Sequence, residues 1–410
     1  MSDFQTNPED GKNHKKRMKQ DYTSDDNHKI INSGNRTHKT ENITNYKTKY
    51  KTGNNGKFHK KFHKYRTALT VVAGITLVLL AGVLYVNSKL DKLQKDKDFK
   101  SNEVQINQVP VEVQEVMEGY TNIAIFGLDD EDGKGNKDKG THSDSIIVAS
   151  INNQTKQVKL VSVYRDTYLN QADAKDSSKY HKANNAYFKG GAKQAVDMLN
   201  KNLDLDIEDY VAIQYDAIVA VVDALGGVEI NVEEDEIFHM NNYIIDVSDV
   251  TGKRTQEILE PGLQTLDGVQ ASAYVRVRYT AGSDFKRTQR QRLLISKIAE
   301  KAQSANLSTI LSIVNKVFPM IKTSLDKDEI IGMAKDAGAY SIADTTGFPF
   351  EKNPDAYVGK MSCVLVDNLA QNDKQLHEYL FEGESYTPSA EVMKISEDLM
   401  EVYKKDLAQK

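Results

Sequence analysis

The sequence predicts an α/β protein: a layered α/β/α domain with a central mixed sheet, preceded by a single transmembrane helix and a disordered N-terminal tail. Three observations support this prediction. Between residues 119 and 304, apolar strand-like runs alternate with amphipathic helical segments, which is typical of a sheet covered on both faces. Residues 67–86 are twenty uncharged, mostly apolar residues. Residues 1–66 are polar and basic, without helical or strand periodicity.

The 410 residues carry their charge unevenly. Residues 1–66 hold 16 Lys and Arg against 7 Asp and Glu, whereas the rest of the chain holds 38 against 52. With few aliphatic side chains, this tail cannot bury enough apolar surface to offset the entropy cost of ordering, so we expect it to be disordered. No helix-turn-helix or zinc-ligand spacing accompanies the positive charge, so no nucleic-acid partner is expected. Attraction to anionic membrane lipid and a simple solvated tail stay open as alternatives.

Residues 67–86, TALTVVAGITLVLLAGVLYV, would form about 30 Å of helix, which matches the hydrocarbon core of a bilayer. Because 66 residues precede this stretch and no small-x-small cleavage site follows promptly, it predicts a signal anchor. Lys and Arg number six in 51–66 and five in 87–102, so the positive-inside signal is weak. The basic tail and the single cysteine, Cys363, favour a cytoplasmic N-terminus and an extracytoplasmic domain at the cell membrane.

The predicted organisation is a tail (1–66), a span (67–86), a linker (87–118), a catalytic domain (119–304) and a helical C-terminal part with a charged tail (305–410). Strands are expected at 122–127, 145–151, 157–164, 210–214, 228–232 and 275–279, and helices at 189–203, 216–225, 269–274 and 284–303. The second and third strands, joined by NNQTK, predict a hairpin. In the C-terminal part we expect helices around 309–318 and 328–337 and a strand at 361–366.

Arginines and aspartates collect where these elements end. The candidate residues are Asp129, His142, Asp144, Arg165, Asp166, Arg276, Arg278, Arg287 and Gln291. On a strand, the two arginines of VRVRY would leave the same face. On a helix, Arg287 and Gln291 would lie one turn apart on one face. For any one of these residues, a solvated strand edge or an ordinary surface helix is the simpler interpretation; their concentration in one domain favours a functional site.

The residue types indicate the chemistry of this site. The rigid fork of arginine matches two phosphate oxygens at once, so several arginines can hold a pyrophosphate. Aspartates in the same place would repel a phosphate unless a divalent cation lay between them, and Mg²⁺ takes one or two carboxylates together with substrate oxygens. The set therefore predicts phosphoryl-type transfer from a diphosphate. Neither a GxxxxGK[ST] loop nor a GxSxG elbow is present, which argues against P-loop nucleotide hydrolysis and serine-hydrolase chemistry.

Six blocks in the region 120–300 resemble, in order, those of the LytR-CpsA-Psr family: NIAIFGLDD, THSDSIIVASIN, VKLVSVYRDTYL, HKANNAYFKGG, GGVEINV and GLQTLDGVQASAYVRVRYTAGSDFKRTQRQR. The resemblance implies an enzyme of the Gram-positive envelope that works on the outer face of the membrane. It implies transfer of wall teichoic acid or capsular polysaccharide from an undecaprenyl-pyrophosphate carrier to the C6 hydroxyl of N-acetylmuramic acid in peptidoglycan. A phosphodiester would form, assisted by Mg²⁺ or Mn²⁺.

The same resemblance implies roles for individual residues. The family's metal-site aspartates correspond to Asp129 and Asp144; its pyrophosphate-binding residues correspond to Arg165, Lys182, Arg276, Arg278, Arg287 and Gln291. Asp166 is the candidate base that takes the proton of the acceptor hydroxyl.

The chain departs from the family pattern at four positions. His142 stands where Arg is usual, so one pyrophosphate contact is either lost or pH-dependent. Tyr164 replaces a common Pro and alters the turn. Thr280 and Lys286 stand where an acidic residue and Gly are common, so loop 280–286 is expected to bind differently.

A polyprenyl carrier also needs an apolar slot. The segments 216–225 and 293–298 are candidates for its lining, although core packing is the simpler interpretation of both. Three alternative functions stay open: a polyprenyl-pyrophosphate hydrolase that uses water as acceptor, an envelope regulator of the transcriptional-attenuator kind, and a non-enzymatic scaffold that holds the lipid.

Overall fold

The computed structural model describes residues 84–128, 141–173, 179–278, 280, 283–382 and 386–408, together with Thr76 and Ala81. By its contacts the chain divides into residues 1–70, which lie wholly outside this set, and residues 71–410. The predicted disordered tail and most of the predicted span therefore fall outside the described residues. Among those residues, no helix combines the length and apolar character that a membrane crossing requires.

Strands and helices alternate along the described chain. The strands are β1 (Gln94–Lys95), β2 (Tyr120–Leu128), β3 (Ser143–Asn152), β4 (Gln157–Val163), β5 (Tyr168–Asn170), β6 (Tyr180–Lys182), β7 (Asp209–Gln214), β8 (Val228–Val232), β9 (Gly262–Leu266), β10 (Ile321–Thr323), β11 (Ser341–Phe348), β12 (Lys352–Val358) and β13 (Met361–Val366). The α-helices are α1 (Val111–Met117), α2 (Asn184–Leu203), α3 (Tyr215–Ala224), α4 (Glu234–Thr251), α5 (Gly268–Tyr274), α6 (Ser283–Gln303), α7 (Leu307–Val317), α8 (Lys327–Lys335), α9 (Leu369–Leu380) and α10 (Ala390–Ala408).

A mixed seven-stranded sheet organises the fold, in the order β1-β10-β7-β2-β3-β4-β11. β3 pairs antiparallel with both β2 and β4, which confirms the predicted hairpin. β7 runs parallel to β2, and β11 runs parallel to β4. The remaining strands form two-stranded ribbons: β5 with β6, β8 with β9 and β12 with β13. The predicted α/β class with a central mixed sheet is therefore confirmed.

Side chains of β2 alternate between two cores, because successive residues of a strand point to opposite faces. Ala124 and Phe126 pack in the large apolar cluster that includes Leu199 of α2. Ile125 belongs to the cluster on the other side, with Ile147 of β3 and Ile295 of α6. Helices thus cover both faces of the sheet in three layers.

The predicted strand at 275–279 is wrong. The chain leaves α5 at Tyr274 and turns: the amide of Arg276 donates to the carbonyl of Ala273 at 3.1 Å, so it is not available to a sheet partner. Val275 and Val277 are 1% and 0% exposed and belong to one apolar core. The alternation of valine with arginine therefore reflects a tight turn with buried valines, and the same-face argument from strand geometry does not hold.

Residues 305–410 contribute strands that the sequence did not indicate. The predicted helices appear as α7 and α8, and the predicted strand at 361–366 as β13. In addition, β10 pairs with β7, and β11 pairs with β4, so this region extends the central sheet on both sides. The expectation that it is mainly helical is corrected accordingly.

His377 of α9 makes folding stability depend on pH. Its Nε2–H donates to the Leu203 carbonyl at 2.9 Å, and its ring stacks on Tyr386 with centroids 3.7 Å apart. Burial lowers the pKa of His377 to about 4, so the folded protein keeps the ring neutral, whereas the unfolded chain protonates below about pH 6.5. The contribution of His377 to stability is therefore lost as the pH falls, by about 1.5 kcal/mol between pH 6.5 and 5. Urea unfolding across this range should show that slope, and His377→Gln should flatten it; an unchanged slope in the variant contradicts the assignment.

Candidate active site

The direction of the strands brings the predicted residues to one edge of the sheet. Because β3 is antiparallel to its two neighbours, its first residues lie beside the carboxyl ends of β2 and β4. Asp144 is the second residue of β3, and Arg165 follows β4 by two residues. The turn after α5 carries Arg278, and the first half of α6 carries Arg287.

Asp144 is the centre of an arginine cluster. Its Oδ1 accepts a hydrogen bond from Nη1 of Arg165 at 2.6 Å, and its Oδ2 accepts one from Nη2 of Arg278 at 2.9 Å. Nη2 of Arg287 is 3.5 Å from the main-chain oxygen of Asp144, and its Nη1 is 3.2 Å from the carboxylate of Asp284. Three of the four predicted arginines thus converge on one residue from separate parts of the chain.

The electrostatics of the cluster keep Asp144 and Arg165 charged. Burial would raise the pKa of the Asp144 carboxyl, but the guanidinium groups of Arg165, Arg287 and Arg278 outweigh burial and lower it below its ordinary value. For Arg165, burial opposes the charged form, and the carboxylates of Asp144, Asp166 and Asp284 raise its pKa nonetheless. Buried charges persist here because they are paired.

Asp166 and Lys182 adjoin the cluster. Nζ of Lys182 is 3.0 Å from Oδ1 of Asp166, and Nε of Arg165 is 3.6 Å from its Oδ2. The side chain of Asp166 is 22% exposed, so a substrate can reach it. Its neighbours hold the carboxylate at the rim of the cluster without enclosing it.

Three predicted residues remain: Arg276, His142 and Asp129. Arg276 is half-buried in the turn that carries Arg278. His142 is exposed, and its ring stacks on Phe188 of α2 with centroids 4.5 Å apart and planes at 11°. Asp129 lies outside the described residues. Within the part of the chain that the structure describes, no group of three or more His, Cys, Asp and Glu side chains is arranged to hold a metal ion.

An apolar cavity of about 320 Å³ lies between the sheet and the helices α3 and α6. Its walls include Ile125, Ile147, Ile213, Ile218, Val221 and Ile298. Both apolar segments predicted from the sequence therefore contribute to its lining. Gln291 is also in the wall; it is 6% exposed, and its side-chain amide has no hydrogen-bond partner within the described part of the protein. A buried amide of this kind calls for a polar group of a ligand or water.

The cavity and the arginine cluster share a boundary. Gln291 lines the cavity one helical turn after Arg287, and Ser145 lines it immediately after Asp144. Apart from Gln291, Ser145 and Gln214, the residues that line the cavity are apolar. This arrangement suits an amphiphilic ligand, whose charged head contacts the guanidinium groups while its apolar chain occupies the cavity.

Sequence reasoning missed the residue that supports the turn of Arg278. Arg290 forms an ion pair with Glu236 at 2.5 Å, and both side chains are 3% exposed. Its Nη1 donates to the Val277 carbonyl at 3.1 Å and its Nη2 to the Thr280 hydroxyl at 2.8 Å. Arg290 belongs to the same basic run as Arg287, but nothing in the sequence marks Glu236 as its partner.

Comparison with known proteins identifies the family of the chain. The sequence profile of the LytR_cpsA_psr family matches residues 80–377. The chain belongs to the LytR-CpsA-Psr family. The family match continues beyond residue 304 and therefore includes α7, β10 and β11, which the sequence analysis had set apart from the catalytic domain.

Named relatives of this LytR-CpsA-Psr protein include two transferases. Polyisoprenyl-teichoic acid–peptidoglycan teichoic acid transferase TagU of Enterococcus faecalis is 31% identical over 279 residues, which cover 67% of this chain and 84% of the relative. The corresponding transferase TagT of Bacillus subtilis is 28% identical, with 67% and 83% covered. A crystal structure of a protein from Streptococcus agalactiae shares the fold, with a TM-score of 0.55 at 23% identity, and covers 69% of this chain and 94% of that one.

Proposed function

We propose that this protein transfers an anionic glycopolymer, wall teichoic acid or capsular polysaccharide, from an undecaprenyl-pyrophosphate carrier to peptidoglycan. The acceptor is the C6 hydroxyl of N-acetylmuramic acid, and the product is a phosphodiester. The observation that carries this proposal is the shared boundary between the arginine cluster and the apolar cavity. The names of the relatives TagU and TagT support the same carrier and acceptor classes. The proposal includes an extracytoplasmic domain tethered to the cell membrane by residues 67–86.

The arginines act on the diphosphate of the carrier. Arg278, whose side chain is 34% exposed, and Arg165 present guanidinium groups to the phosphate oxygens, while Arg287 is held in place by Asp144 and Asp284. The acceptor oxygen attacks the phosphorus attached to the glycan, and its proton passes to Asp166. The bond from this phosphorus to the bridging oxygen breaks, and polyprenyl monophosphate leaves. Charge spreads over the oxygens as this bond breaks, so fixed guanidinium groups stabilise the transition state.

Mg²⁺, or Mn²⁺ in its place, is part of the proposal. The Asp144 carboxyl is ionised, and each of its oxygens keeps a lone pair after accepting one hydrogen bond. It therefore fits as one carboxylate ligand, and Mg²⁺ needs only one or two together with substrate oxygens. Asp129 is the proposed second ligand. When bound, the ion would supply Lewis-acid stabilisation of the diphosphate oxygens.

A reconstituted assay tests the proposed function. The full-length protein in proteoliposomes is given a polyprenyl-pyrophosphate glycan, Mg²⁺ and peptidoglycan oligomers. Glycan coupled to peptidoglycan supports the transferase. Free glycan with a terminal phosphate would instead establish a hydrolase, and the absence of turnover a scaffold or a regulator.

Filling the cavity should weaken binding of the carrier's chain selectively. Ala299 of α6 lines the cavity, so Ala299→Leu adds apolar volume where the polyprenyl chain would lie. We expect KM for a long-chain carrier to rise roughly tenfold, since one or two methylene groups of misfit are worth 1–3 kcal/mol in a hydrophobic pocket. Steady-state kinetics with long and short carriers measure this. Leu293→Met, at a surface position of the same helix, is the matched control; an equal rise in both variants would contradict the assignment.

A further inference from the structure

The chain is fastened to the domain immediately after the predicted membrane span. We call residues 84–95 the stem. Nζ of Lys89 donates to the side-chain oxygen of Asn315 at 2.7 Å, and Nζ of Lys92 donates to the same oxygen at 3.1 Å. Nε2 of Gln94 donates to the carbonyl of Pro319 at 2.6 Å, and β1 then pairs in parallel with β10. The stem therefore holds α7 and β10 close to the point where the chain would leave the bilayer.

The helical geometry of the stem sets the depth of α7. Residues 84–90 are helical, and Val86 is the last residue of the predicted span. Lys89 lies three residues later, a rise of about 4.5 Å along the helix. The headgroup region on each side of a bilayer is about 5–7 Å thick, so a span that ends at Val86 would place Lys89 within it, and tilting of the helix would only bring Lys89 nearer the hydrocarbon. Asn315, which contacts Lys89, places the C-terminal half of α7 at the same level.

One face of α7 suits this location. Leu307, Leu311 and Val314 share one face at i, i+4 and i+7; Leu307 is 74% exposed and the other two are half-buried. Lys316 is exposed beside them. In the stem, Tyr85 is 45% exposed, as expected of an aromatic residue at a membrane interface. Apolar residues flanked by lysines are the pattern of helices that lie in an anionic headgroup layer.

The inward surface of the same segment borders the cavity. Val317, the last residue of α7, and Ile321 of β10 both line it. One short segment therefore contacts the stem at Asn315 and lines the apolar cavity at Val317 and Ile321.

We propose that α7 is a membrane-docking helix: Leu307, Leu311 and Val314 lie in the anionic headgroup layer, and the cavity receives the polyprenyl chain directly from the bilayer beside the anchor. The second part rests on the proposed function, whereas the docking itself rests on the predicted span and the stem contacts. A carrier taken up along this route never exposes its long apolar chain to water, which would cost about 0.8 kcal/mol for each CH₂ group.

Lipid quenching tests the docking. The single cysteine, Cys363, is replaced by Ser in the full-length protein, and a fluorophore is attached at Leu307→Cys in vesicles of phosphatidylglycerol and phosphatidylcholine. Brominated lipids should quench this label strongly. The control is Leu259→Cys, also a highly exposed leucine, in the segment tied to α4, which is separated from α7 by α3 and α5. Equal quenching at both positions, no quenching at Leu307→Cys, or failure of the chain to insert overturns the proposal.

Turnover of long-chain and short-chain carriers tests whether the cavity receives the polyprenyl chain from the bilayer, and this experiment leaves Cys363 unaltered. Leu311→Glu in vesicles should lower turnover of a long-chain carrier roughly tenfold, because a carboxylate is repelled by anionic lipid and is costly to place near hydrocarbon. Turnover of a short-chain, water-soluble carrier should be unchanged, and Leu259→Glu should alter neither. Equal loss with both carriers, or no loss with either, overturns the route. Absence of turnover in the wild-type protein refutes the proposed function, while the quenching result still decides the docking.

Discussion

Arg278→Ala is expected to lower kcat/KM for glycopolymer transfer roughly 10²–10³-fold, because a preorganised donor to the transition state is lost. The side chain is 34% exposed and its pairing with Asp144 is only partly buried, so its removal should cost little stability. We expect the thermal midpoint to fall by no more than about 2 °C. Transfer kinetics and circular-dichroism melts of the same preparation measure both quantities.

A second substitution separates charge from geometry at this position, and a control variant removes a cation elsewhere on the surface. Arg278→Lys keeps the charge but loses the planar fork, so its activity should lie between those of wild type and Arg278→Ala. Lys297→Ala removes a cation paired with Glu300 on the surface of α6 and should leave turnover unchanged. If Arg278→Ala lost fold and activity in parallel, the residue would be structural.

Asp144→Ala is expected to damage the fold as well as the activity. Arg165 and Arg287, which is 1% exposed, would then lose the carboxylate charge between them and keep only the carboxylates of Asp166 and Asp284. Removing one partner from a buried ionic network costs about 3–5 kcal/mol, so urea unfolding should show a loss of that size together with loss of turnover. Asp249→Ala, which breaks an exposed ion pair with Arg254, should cost less than about 1 kcal/mol.

Inorganic pyrophosphate offers an internal check on the Asp144 variant. Because the anion would replace the missing negative charge, it should stabilise Asp144→Ala against unfolding more than it stabilises the wild-type protein. A variant as stable as wild type, or one that pyrophosphate does not stabilise, would contradict the role of Asp144 as the centre of the cluster.

Much of the site could be predicted from the sequence because its residues flank recognisable strands. Asp144 and Arg165 lie beside the apolar runs that form β3 and β4, and antiparallel pairing of those runs is enough to bring the two residues to one edge. The convergence of Arg278 on Asp144 could not be predicted in this way. It depends on the turn after α5, and there the alternation of valine and arginine indicated a strand where the chain forms a helix end.

The strands β10 and β11 could not be predicted from the sequence, for a different reason. β10 has three residues, too few for a period-two pattern, and β11 reads SIADTTGF, in which an acidic residue and two threonines conceal the apolar alternation. Their place in the sheet is decided by long-range pairing with β7 and β4. Likewise, the buried pair of Arg290 with Glu236 joins residues 54 positions apart and leaves no local signal.

The late position of β10 and β11 in the chain has a consequence for biogenesis. A nascent chain completes β2, β3, β4 and β7 while the sheet still has unpaired edges on both sides, and bare edges invite aggregation and attack by proteases. β1 has β10 as its sheet neighbour, so the stem cannot dock by strand pairing until β10 has been made. Chains that stall before residue 348 should consequently keep an unpaired sheet edge and be degraded faster than finished molecules.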